Sequence, residues 1–450
     1  MKNVQKLAGK LEEALSEQPM LDAHTHLDAT HLTARGLHDL LLYHMVVSDL
    51  YSAGCPDGAR LSEWPDDREA HGRIERAIPF VPAIENTSGF WGLRIILRDL
   101  YGWSDPIRAD DWRRLDDRIR ERSGDPAWAA EILRRANIRR SVTEWWRRHD
   151  GRADALLQYS LEWAFFARCQ WGEFDTALYE LEQTWSQDRP APPSPVTRGG
   201  SRPAVSRPLR TLSEVNEALD HYLDVIPYDE VISTAQHLST DVDYRSVDDE
   251  TMGAALARRE HAGPHERDVY AGYILNGFLE RLSRRSEPLP FQFSLGAEPL
   301  PFETASRIGQ KTLAQLGEIV ARYPRVPFHC YLSSVHANQT LCTLARELPN
   351  FFLVGYWWHN FFPPFIRRLI EERLDMLSVR KQIGFFSDAY CLEWSYAKAV
   401  MVRKILARVL AGKVALGQYN TSLALGVANE ILFESPRRLL KMVVRPSEPA

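Results

Sequence analysis

Four short apolar runs in the second half of the chain, Phe291–Leu295, Val326–Tyr331, Phe351–Tyr356 and Gln382–Phe386, alternate with segments of helical periodicity. Thr304–Tyr323 sets Leu313, Leu316, Ile319 and Val320 on one helix face, and Ala337–Leu348 and Phe365–Leu377 follow the same pattern. Each strand–helix unit takes roughly 25–40 residues, the size of a βα repeat. Met20–His26, Ala77–Ile84, Ile138–Thr143 and Glu230–Thr234 read as four earlier strands, the second weakened by Pro79 and Pro82. Eight alternations that close on themselves predict an α/β chain with a (β/α)8 barrel of the TIM type.

The 450 residues are enough for one such barrel with insertions. Residues 1–19 read as an N-terminal helix, with Leu7, Leu11, Ala14 and Leu15 on one side, and 20–450 as the barrel. The span 91–183 carries Arg and Trp at helical spacing, so it reads as largely helical insertions around the third unit. Residues 188–208 are rich in Pro, Ser and Arg and read as a loop. A formal charge of −5 points away from a nucleic-acid partner. No apolar run is long enough to span a bilayer, and the first residues are too charged for a secretory signal. Five scattered cysteines without a Cys-x-x-Cys argue against a disulfide framework and fit a reducing, cytoplasmic setting.

The first strand runs into Leu21-Asp22-Ala23-His24-Thr25-His26. Residues two apart on a strand share a face, so His24 and His26 converge where that strand runs out. Neutral imidazoles there suit a divalent transition metal; the alternative is one packed and one solvated histidine. In such a barrel, chemistry gathers at the C-terminal ends of strands. The eighth strand ends in Asp388, which reads as a metal ligand and proton carrier or as an N-cap for the helix that follows. His237 and His329 are candidates for a further metal ligand, or histidines packed without one. Trp357 and Trp358 read as the floor of a sugar site or as packing.

A strand-one Asp-x-His-x-His with a strand-eight Asp resembles the amidohydrolase superfamily, and within it the uronate (glucuronate) isomerase family. The likeness runs through His44 to Gly54, Asn86 to Gly102, Gly355-Tyr-Trp-Trp-His-Asn360 and Ile383 to Tyr390. It implies a zinc-type centre on His24, His26 and Asp388, an active-site His44, and a proton moved between C1 and C2 of a uronic acid. Trp358, Tyr390 and Arg98 fall in the matched segments as substrate-contact positions. The expected partner is a small-molecule sugar acid, and a homo-oligomer stays open. The chain also departs from the family: Met45 stands where the family has Tyr, Tyr390 where it has Arg, and Ser294 where it has a strand-five His. Two other functions therefore stand beside the isomerase: a lactone, ester or amide hydrolase with Asp388 as general base, and a catalytically inactive barrel that binds sugar acids.

Overall fold

A computed structural model describes residues 2–56, 67–148, 156–163, 175–187, 207–239, 242–296, 308–357 and 360–444. The strands are β1 (Met20–Asp22), β2 (Ile138–Glu144), β3 (Leu157–Trp163), β4 (Val231–Leu238), β5 (Phe291–Leu295), β6 (Phe328–Leu332), β7 (Phe351–Val354) and β8 (Gln382–Ile383). They form one sheet in sequential order, and each neighbouring pair is parallel. Backbone bonds past the two end strands join them. Ala23 N–H donates to Phe385 O (3.4 Å), Asp388 N–H to His24 O (3.0 Å) and His26 N–H to Ala389 O (2.9 Å). This is the (β/α)8 barrel expected from the alternation.

Both faces of the sheet are covered, which is why its strands read as nearly continuous apolar runs. Phe291, Phe293, Phe328, Cys330 and Phe351 pack in the layer shared with the helices. Leu21, Val142, Tyr331, Val354, Ile383 and Phe386 form a smaller second cluster inside the barrel. The two sets alternate along β6 and β7, as a period of two requires. Gln310–Arg322, Asn338–Glu347 and Pro363–Met376 are the helices that follow β5, β6 and β7. The N-terminal helix Lys2–Ser16 buries Leu11 and Leu15 and packs along Leu392–Ala415.

Two strand expectations change. Ala77–Ile84 is helical: a 3-10 turn, Ile78–Phe80, runs into the helical turn Val81–Ile84. Pro79 and Pro82 sit in the first positions of those turns, where no intrahelical N–H is needed. β1 pairs directly with Ile138–Glu144, and the barrel's remaining strand is β3, which follows β2 inside the span expected to be largely helical. Leu157, Tyr159 and Leu161 of β3 are buried against the helices. Ser88–Tyr101, Trp112–Arg120 and Pro126–Ala136 are helices of that region, but they lie between β1 and β2. Apart from its last two residues, the loop expected at 188–208 falls outside the described residues.

Candidate metal centre

Short strands shape this site. β1 stops at Asp22, yet the chain stays tied to its neighbours, with Thr25 N–H donating to Val142 O at 2.7 Å. His24 and His26 thus leave the strand end on a fixed backbone, their rings 4.9 Å apart and nearly perpendicular. β8 stops at Ile383, and the chain reaches Asp388 in a left-handed conformation, φ 54°. Such a backbone strains a residue with a Cβ and persists only where its surroundings impose it.

Asp388 Oδ1 lies 3.5 Å from His24 Nε2 and 3.2 Å from His26 Nε2. One ligand atom from each of the three residues lies within 4.8 Å of the others, and His24 and Asp388 are buried. His26 Nδ1 donates to Glu144 Oε1 at 2.5 Å, which turns its other nitrogen toward Asp388. A carboxylate holding the far nitrogen is the usual support of a metal-ligating imidazole. Glu144 is the last residue of β2 and is itself paired with Arg147. His24 Nδ1 is buried without a hydrogen-bond partner. Two imidazoles and a carboxylate suit a divalent transition metal.

Burial alone would raise the Asp388 carboxyl, but hydrogen bonds from His24 and His26 outweigh it and hold its pKa well below the ordinary range. Burial disfavours charge on His26, yet the Glu144 carboxylate and further neighbours hold its pKa well above the ordinary value. His44 opens the helix His44–Ser52 and sets Nε2 3.9 Å from Asp388 Oδ2. Burial lowers its pKa to about 3, which keeps the ring neutral.

Other expected site residues are distributed as follows. Tyr390 stacks on His26, ring centroids 4.8 Å apart, and the Arg147 guanidinium lies 5.9 Å from the Tyr390 ring. His237, near the end of β4, pairs with the Ser294 hydroxyl and stacks on Trp357. It is not in the His24–His26–Asp388 group. His329 is also outside that group, because β6 runs on to Leu332 and leaves it deep in the strand, fully buried against Phe352. Arg98 is not brought to the site: its side chain is 63% exposed and bonded to Asp99 on an outer helix. Trp358 lies outside the described residues. Glu144 and Arg147 were not expected from the sequence.

Fold and site together define a (β/α)8 barrel with a histidine–carboxylate centre at the C-terminal ends of its strands. Its solved structural neighbours include uronate isomerases and a structure described as a metal-dependent hydrolase, from Lactobacillus casei ATCC 334, with a TM-score of 0.58 at 12% identity over 96% of this chain and 97% of that one. The glucuronate isomerase from Caulobacter crescentus superposes with a TM-score of 0.77 at 17% identity, over 99% of this chain and 96% of that one. The uronate isomerase from Thermotoga maritima gives 0.73 at 13% identity, over 97% of each chain. That from Bacillus halodurans C-125 gives 0.68 at 17%, over 98% and 97%. No model of a protein family and no curated protein sequence matches the chain. Among the described residues, no helix is long and apolar enough to cross a membrane.

Proposed function

We propose that this chain is a divalent-metal enzyme that interconverts the aldose and ketose forms of a uronic or related sugar acid. The observation that carries this reading is the convergence of His24, His26 and Asp388, with His44 on the carboxylate oxygen that faces away from the histidines' contacts. Those three residues would hold the cation, with zinc the expected metal, and a cation there would supply Lewis acidity toward a substrate oxygen. The isomerisation moves one proton from C2 to C1 and another from the C2 oxygen to the C1 oxygen, with no net change in composition. Asp388 Oδ2 and His44 Nε2, 3.9 Å apart, would carry the carbon-bound proton in this reading. The Glu144 contact keeps the His26 ring from turning while substrate enters. Tyr390, 40% exposed and stacked on His26, stands beside the centre as a candidate substrate contact.

The likeness of the whole chain to uronate isomerase structures supports the same reading. Met45 and Tyr390 narrow it to an acid other than the family's usual substrates. The test is to incubate the zinc-loaded protein in deuterated water with a panel of uronic acids, their keto-acid isomers, lactones and esters, and to follow exchange and hydrolysis by NMR. Deuterium appearing at the carbon beside the carbonyl supports an isomerase. Hydrolysis of lactones or esters without such exchange replaces it with the hydrolase, and binding without turnover with the inactive binder.

A further inference from the structure

Behind Asp388 lies a second group of polar residues that the proposed chemistry does not use. The helix Leu392–Ala415 carries Lys398, which is only 2% exposed. A buried ammonium is costly unless it is paired and hydrogen-bonded. Lys398 Nζ donates to the Ser387 carbonyl at 2.5 Å and to the Tyr43 hydroxyl at 2.6 Å. The Tyr43 hydroxyl in turn donates to the Asp388 carbonyl at 2.8 Å. Lys398 therefore reaches two consecutive carbonyls, one directly and one through Tyr43. The amide sides of the same two residues are also held: Ser387 N–H donates to Asp22 Oδ1 at 2.7 Å, and Asp388 N–H to His24 O at 3.0 Å.

Tyr43 is fixed in its turn. Its ring stacks on Trp394 with centroids 4.4 Å apart, and Lys398 Nζ lies 4.9 Å from it. The Phe361 ring meets the same ammonium at 4.6 Å. Asp388 needs such support, because its φ of 54° is not one that an aspartate adopts by preference. The carboxylate points toward His24 and His26 only while that turn is kept.

We propose that Lys398 and Tyr43 form a positioning relay, which locks the Ser387–Asp388 turn and so aims the Asp388 carboxylate at the metal centre. This inference rests on reading His24, His26 and Asp388 as that centre. Coulomb's law alone gives the opposite expectation: an ammonium beside a cation site repels the cation and weakens binding. The relay predicts that losing Lys398 weakens binding, because the lost aim outweighs the relieved repulsion.

The experiment measures zinc dissociation constants by chelator competition for the wild type, Lys398→Met, Tyr43→Phe and the double variant. Each is measured well below the melting temperature of its metal-free form, so that lost stability alone does not move the constant. The relay predicts that each single change weakens zinc binding about tenfold or more, the scale typical of groups that orient metal ligands. The double variant is then little worse than the weaker single, since both changes break the same chain. Wild-type affinity in either single variant, or tighter binding in Lys398→Met, overturns the relay and leaves the metal centre standing. A wild type that binds no zinc overturns both. If Lys398→Met does not fold, Tyr43→Phe, which removes one hydroxyl, decides alone.

Discussion

His26 and Glu144 meet at 2.5 Å, Nδ1 to Oε1, across the pairing of β1 with β2. The contact fixes which nitrogen of His26 is turned to Asp388, 3.2 Å away. Changing Glu144→Gln removes the charge and keeps the shape. The expected result is a loss of metal affinity of about 10–100-fold, read by titration of the metal-free protein. Unchanged affinity would show that Glu144 serves only Arg147.

His44→Ala should separate chemistry from folding. His44 touches Asp388 Oδ2, not the oxygen nearest His24 and His26, so the variant should keep its metal content and most of its melting temperature. Turnover should fall by about 10²–10⁴-fold, the contribution typical of a positioned acid or base. Activity and melting temperature falling in proportion would make His44 a packing residue.

His329 carries a prediction about pH and stability. Burial lowers its pKa from 6.5 to about 3, so the folded chain keeps it neutral where the unfolded chain takes up a proton. Its contribution is fully present above pH 6.5 and is lost as pH falls from there toward 3. The slope approaches about 1.4 kcal/mol per pH unit. His329→Gln cannot titrate, so its unfolding free energy should fall less steeply over that window. Parallel urea-denaturation curves for the two proteins would refute this.

What the sequence showed was what local pattern encodes. The strands β5 to β8 and the pair His24 and His26 were legible because apolar runs and a two-residue spacing are local signals. Asp388 was legible as the polar end of the last run. Ala77–Ile84 misled because its apolar residues fit a strand, while its prolines fit the first turn of a helix equally well. β3 alternates cleanly through Leu157, Tyr159 and Leu161, but it is hidden between Arg- and Trp-rich segments that read as helix. Glu144 ends a strand that was anticipated one residue short, so the strand-end rule stopped just before it. The Lys398–Tyr43 bond joins residues 355 apart in sequence, and no local pattern encodes such a contact. His329 reads as a candidate ligand from its residue type, although the expected run Val326–Tyr331 already sets it two residues inside the strand, where it is a core histidine.

The substrate prediction follows from Met45 and Tyr390. Turnover of glucuronate and galacturonate should be weak or absent. Losing a bidentate charged contact costs several kcal/mol, and about 1.4 kcal/mol is already tenfold in rate. Tyr390→Arg alone should not restore isomerisation, because position 45 would still be Met. Steady-state isomerisation of glucuronate by the wild type at ordinary enzymatic rates would show that neither departure governs specificity.

His24, His26 and Asp388 are proposed to hold a divalent cation. Crystals grown with zinc, with diffraction data collected on both sides of the zinc absorption edge, test it most directly. The account predicts an anomalous peak bounded by His24 Nε2, His26 Nε2 and the Asp388 carboxylate, present above the edge and absent below it. A fully zinc-treated crystal with no peak there, or with zinc only at sites away from these three residues, would contradict it.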